Sequence, residues 1–200
     1  MNKYFDTFYD WWKNIDKTIF FIIGLLFFLG LFFSLVSTSI IATDKLNTNS
    51  YYFFLKHLFF VSIGIFIILI FSLLDQNILI RLSVILFLIT LISLFLVPLF
   101  GIEVKGSKRW LDLGSLPRFQ PIETLKPFFV IVISLIISLE KKNLYLKYLL
   151  STFVLMPIII LLLSQPDLGQ TLLVTSVWLA IIFVSGINLF LFTFLSLIHI

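Results

Sequence analysis

Cysteine is absent from this 200-residue chain, and histidine occurs only twice, at His57 and His199. Without cysteine there is no disulfide frame, no thiolate nucleophile and no cysteine-based metal site. Two histidines so far apart in sequence argue against a histidine-rich metal cluster or a haem pair. Charge is also scarce: only 12% of residues are Asp, Glu, Lys or Arg, about half the norm of soluble proteins. Hydrophobic residues make up 60%, and the mean hydropathy is +1.16. A water-soluble globule must cover itself with polar surface, and this chain cannot supply it. That excludes a soluble enzyme, a disordered tail, a coiled coil and a nucleic-acid-binding domain. The net charge of +4 then points to anionic lipid headgroups or a phosphate-bearing substrate, with no nucleic acid partner.

What is present in abundance is long apolar runs. A spanning helix needs about 20 mostly apolar residues. Such runs cover about Thr18–Ala42, Phe53–Leu74, Ile78–Phe100, Ile122–Leu139, Tyr148–Ser164 and Leu168–Gly186. The expected fold is an all-α integral membrane protein, a polytopic helix bundle of about six full spans. Ile187–Ile200 is apolar too but only 14 residues long. It reads as the start of a truncated seventh span, the alternative being a half-inserted or interfacial terminal helix. Pro98 and Pro157 lie inside apolar runs and predict kinks.

Residues 1–17 form a separate amphipathic segment, and residues 18–200 the transmembrane domain. Tyr4, Phe8, Trp11, Trp12 and Ile15 recur at helical spacing among Lys3, Asp6, Asp10, Lys13 and Asp16. That pattern suits a helix lying on the membrane surface. The first apolar run is too long for a signal-peptide core and lacks its cleavage pattern.

With a cytoplasmic N-terminus, the inside segments hold Lys3, Lys13, Lys17, Arg81, Lys141, Lys142 and Lys147. The outside segments hold Lys45, Lys56, Lys105, Lys108, Arg109, Arg118 and Lys126. The tie comes from one loop, Gly101–Pro121, with its flanking Lys126. Set that loop aside and the positive-inside rule favours a cytoplasmic N-terminus. The loop's basic residues then call for a function outside.

That loop and the helix after it read GIEVKGSKRWLDLGSLPRFQPIETLK. Lys105, Lys108, Arg109, Arg118 and Lys126 can donate charge-assisted hydrogen bonds to phosphate. Trp110 fits an interfacial position, and Gly101, Gly106 and Gly114 permit turns with positive φ. An ordinary loop touching lipid headgroups would look similar. Pro121 suits the first position of a helix, and Glu123 complements the positive end of its dipole. Glu123 and Lys126, three apart, can pair on one face. A second polar island, Ser164-Gln165-Pro166-Asp167-Leu168-Gly169-Gln170, interrupts the later apolar runs. Asp167 with Gln170 three residues on is a capping-box pattern. Alternatively Asp167 is an acid lining the same polar site.

These segments resemble the SEDS proteins (shape, elongation, division and sporulation), represented by RodA and FtsW. The resemblance rests on Lys105-Gly106-Ser107-Lys108-Arg109-Trp110-Leu111, on Gln120-Pro121 with Glu123 and Lys126, and on Gln165-Pro166-Asp167-Leu168-Gly169. The stretches Gly101–Gly106 and Pro166–Val174, the Lys126-Pro127 step and the opening WWKNIDK make it more similar to the division member than to RodA. The family usually has Ser in its Q-P-S-E motif where this chain has Ile122.

The resemblance implies about ten spans, of which this chain holds the N-terminal part. It implies a peptidoglycan glycosyltransferase that polymerises lipid II at the division septum of the bacterial cytoplasmic membrane. Its partners would be lipid II, a class B penicillin-binding transpeptidase, other divisome membrane proteins and membrane lipids. The family's proposed catalytic aspartate is expected beyond Ile200, so no catalytic residue is assigned here. Lys105, Lys108, Arg109, Trp110, Arg118, Gln120, Glu123, Lys126 and Asp167 are candidates for substrate binding or for lining a cavity. No metal ligands and no resident cofactor are implied, and a divalent cation stays open. A lipid II flippase, a non-catalytic divisome scaffold and a RodA-type elongation polymerase are the alternatives.

Overall fold

The computed structural model describes residues 9, 11–46, 51–104, 106–112, 114, 118–140 and 143–186, with backbone alone for 37–46. The first part of the amphipathic segment, Lys105 and the expected seventh span lie outside the described residues. The chain forms two compact units, Met1–Asp75 and Gln76–Ile200.

The first unit contains α1 (Lys17–Leu46) and α2 (Tyr52–Ser72), packed together. Residues 11–14 are helical. The Trp11 indole N–H donates to Ser72 Oγ at 3.0 Å, which ties this segment to the end of α2. Asp16 caps α1: its Oδ1 accepts from the backbone N–H groups of Thr18 (2.9 Å) and Ile19 (3.1 Å). Those are two of the orphan donors at a helix start. No residue of α2 is buried, and most described side chains of α1 are exposed too. Helices apolar on every side, without a polar face for water, suit a lipid surround.

The second unit contains α3 (Gln76–Phe100), a hairpin of β1 (Ile102–Val104) and β2 (Ser107–Trp110), then α4 (Pro121–Ile137), α5 (Leu144–Ser164) and α6 (Leu168–Val184). All six expected spans are helices within a few residues of the expected bounds. Four of them, α1, α2, α3 and α5, are long and apolar enough to cross a membrane. α4 and α6, at 17 residues each, sit at the lower end of spanning length. Pro98, Pro127 and Pro157 are carried inside helices.

α4 packs along α3 and also against α5 and α6. Its buried stripe is Ile122, Leu125, Phe129 and Ile133, spaced by three and four as one helix face requires. Leu94 of α3, Leu155 and Leu162 of α5 and Trp178 of α6 belong to the same core. Polar atoms buried there are partly paired. Trp178 Nε1 donates to Ser151 Oγ at 3.1 Å, and Ser151 Oγ donates to the Tyr148 carbonyl at 2.8 Å.

The helix bundle is as expected, and the connection between α3 and α4 adds one short hairpin. The hairpin is antiparallel, with Glu103 opposite Lys108 and Val104 opposite Ser107. Beyond it, Leu111 and Phe119 exchange two backbone hydrogen bonds, 2.8 and 3.0 Å. Backbone groups leaving a helix need partners, and the described residues of these strands find them in one another. Gly106 (φ +81°) and Gly114 (φ +72°) take left-handed turns as expected. Gly101 serves otherwise. Its N–H donates to the Val97 carbonyl at 2.7 Å, and a Cβ there would collide with that oxygen.

Gly106→Ala is expected to cost about 1–2 kcal/mol, the penalty for a left-handed L-residue. Gly101→Ala should cost more, because backbone must move. Thermal unfolding of both variants in detergent checks this ranking, and an equal or smaller loss for Gly101→Ala contradicts it.

Candidate functional site

One end of the second unit gathers most of the candidate residues. Arg109, on β2, reaches the turn between α5 and α6. Its Nη2 donates to the Pro166 carbonyl at 2.7 Å and its Nε to the Gln165 carbonyl at 3.4 Å. Nε also lies 3.6 Å from Asp167 Oδ2. A planar guanidinium suits such forked contacts, and a lysine would not. Asp167 is buried, and its other oxygen accepts from the Gln170 backbone N–H at 3.4 Å. It therefore caps α6 and pairs with Arg109 at once.

The capping box itself is only half formed. In a full box the Gln170 side chain would return to the Asp167 N–H. Here that N–H donates to the Leu162 carbonyl at 3.0 Å, and the Gln170 side chain turns to α4. Its Nε2 donates to Glu123 Oε1 at 2.7 Å, and its Oε1 accepts from Lys126 Nζ at 3.1 Å. Glu123 Oε2 and Lys126 Nζ lie 2.7 Å apart. Three side chains thus close a ring between the first turns of α4 and α6. Lys126 is held partly buried while the Glu123 carboxylate stays half exposed. An ammonium held in place by a carboxylate and a neutral amide can donate a charge-assisted hydrogen bond to an anion. Gln170 was no site candidate, because i+3 spacing from Asp167 explained it as a cap.

The remaining candidates separate. Lys108 is exposed on β2 and lines a cleft facing Ser164 and Gln165. Trp110 is half-buried opposite Ile102. Arg118 is exposed beside the Leu111–Phe119 bridge. Gln120 occupies the cap position of α4 in extended backbone without a side-chain cap bond. Lys105 lies outside the described residues. Ile122, the departure from the Q-P-S-E pattern, is 1% exposed in the core. It packs where a serine would have offered a hydroxyl to the helix end. Among the described residues no group of three or more His, Cys, Asp or Glu could hold a metal.

The fold and site together define a polytopic membrane protein in which Arg109, Glu123, Lys126 and Asp167 gather at one end of the second unit. The family model of the FtsW, RodA and SpoVE cell cycle proteins matches residues 16–200, and the chain belongs to that family. It is 28% identical over 178 residues to the "Probable peptidoglycan glycosyltransferase FtsW" of Caulobacter vibrioides, covering 88% of this chain and 45% of that protein. The protein of the same name in Wigglesworthia glossinidia brevipalpis is 32% identical over 196 residues, covering 92% of this chain and 50% of that one. The chain spans about half the length of the curated relatives it matches. Among solved structures it is similar to Thermus thermophilus RodA (TM-score 0.63, 25% identity, 84% of this chain and 58% of that one). It is also similar to a chain of a peptidoglycan synthase complex (TM-score 0.58, 26% identity, 79% and 47%).

Arg109→Lys is expected to loosen the start of α6. Amide hydrogen exchange across residues 168–171 should accelerate about tenfold, the scale of one lost charge-assisted hydrogen bond. Unchanged protection there would show that the guanidinium does not hold the turn.

Proposed function

We propose that this chain carries the substrate-gripping part of a peptidoglycan glycosyltransferase that polymerises lipid II during cell division. The observation that carries this reading is the Glu123–Lys126–Gln170 ring, set where two apolar helices begin. The relatives' name, probable peptidoglycan glycosyltransferase FtsW, supports the reaction class, and the family's description as cell cycle proteins supports the division role. In the reaction, an acceptor sugar hydroxyl forms a bond to the anomeric carbon of the donor. The bond from that carbon to the lipid pyrophosphate breaks, the hydroxyl proton goes to a base, and the pyrophosphate leaves with the electron pair.

Lys126, with Arg118 nearby in sequence, would offset the charge that develops on the leaving pyrophosphate. Glu123 would orient Lys126 and Gln170 would hold both. Arg109 and Asp167 would act by fixing the first turn of α6, not by touching substrate. No base is assigned among the described residues. A divalent cation on the pyrophosphate is compatible with this scheme. The protein would sit in the bacterial cytoplasmic membrane at the septum, with a cytoplasmic N-terminus and the hairpin outside, partnered by a class B penicillin-binding transpeptidase.

The test is polymerisation of fluorescent lipid II by the native protein with its transpeptidase partner in liposomes. Lys126→Met and Glu123→Gln should each lower the rate about 100-fold, as loss of one electrostatic contact to a developing charge does. Gln170→Ala should fall between these variants and the parent protein. Absence of any polymer, under conditions where a relative makes it, overturns the reading.

A further inference from the structure

The Gln165 side chain is 3% exposed, and its Nε2 is buried without a hydrogen-bond acceptor. A buried amide donor left unpaired is costly, so it marks a place where an acceptor belongs. Gln165 lines a cleft of about 300 Å³ between the hairpin and the α5–α6 turn, together with Pro98, Glu103, Ser107, Lys108 and Ser164. This cleft shares no lining residue with the Glu123–Lys126–Gln170 ring.

Its charges are arranged as a pair. Glu103 and Lys108 are directly opposite across the hairpin, and both line the cleft. Among the described residues neither takes part in an ion pair. Ser164 Oγ spends its proton on the Leu161 carbonyl (2.7 Å), which leaves its oxygen to accept. The cleft therefore offers donors (the Lys108 ammonium and Gln165 Nε2) beside acceptors (the Glu103 carboxylate and Ser164 Oγ). Its complement is a compact zwitterion with an oxyanion at one end and an N–H-bearing cation at the other. Depth selects the source. Pro98 is in the last turn of α3, a helix long and apolar enough to cross a membrane, so the cleft opens at the lipid–water boundary.

We propose that this cleft binds the headgroup of a phosphoethanolamine lipid. The phosphate faces Lys108 and the Gln165 amide, and the ammonium faces Glu103. The proposal does not depend on the polymerase reading, because its test reads lipid and not activity.

The protein is placed in nanodiscs of equal parts phosphatidylethanolamine, phosphatidylcholine and phosphatidylglycerol, and retained lipid is read by native mass spectrometry. Phosphatidylethanolamine should exceed phosphatidylcholine about fivefold, since the trimethyl cation has no N–H for Glu103. Glu103→Gln, an exposed and nearly isosteric change, should bring the two to parity. Lys108→Gln should lower retention of phosphatidylethanolamine and phosphatidylglycerol together. Helix content by circular dichroism confirms that both variants fold. Equal retention in the parent protein, an ethanolamine excess that survives Glu103→Gln, or phosphatidylglycerol held above phosphatidylethanolamine each overturns the proposal.

Discussion

The reach of Arg109 across to the α5–α6 turn is the contact on which the polar end of the second unit depends. One guanidinium holds two carbonyls and a carboxylate. The carbonyls of Gln165 and Pro166 follow the last turn of α5, where backbone acceptors run short of intrahelical donors. The carboxylate of Asp167 begins α6. A single side chain therefore joins the end of one helix, the start of the next and the hairpin between α3 and α4. Asp167 hands the constraint on to Gln170 through the helix cap, and Gln170 hands it to Glu123 and Lys126.

The same economy follows from the lipid surround. Charge within a span is expensive and is kept near the ends or in company. Among the described residues the ion pairs of the second unit involve helix starts, and some of the small hydroxyls in its interior bond their own helix. Thr90 Oγ1 donates to the Leu86 carbonyl, and Ser151 Oγ to that of Tyr148. Irregular chain is tolerated where it pairs with itself, as the hairpin does, or is clamped from the side, as residues 165–167 are.

Ile122 shows how such a site tolerates variation. The family's serine at that position would serve the helix start; the isoleucine serves the core. The start of α4 is instead secured by Pro121 at its first position and by the cross-tie from Gln170. Tertiary contact from Gln170 thus supports the helix start where Ile122 offers no hydroxyl.

The helices, their bounds and the polar segments were legible in the sequence, because apolar length and the loss of it are local properties. The Glu123–Lys126 pair was legible for the same reason, since spacing on one helix decides it. The inward faces were not. A lipid-facing leucine and a core leucine are equally apolar, so composition does not tell Leu125, fully buried, from Leu99, which is 65% exposed. The hairpin was hidden because two short strands carry too little alternation to stand out. Gln170 was hidden because its helix offered it a local partner, and only the approach of α4 supplied better ones. Sequence by itself determined a membrane protein of this family with two charged segments. Tertiary structure decided which of those charges meet, because an ion pair between distant residues exists only once packing has brought its two helices together.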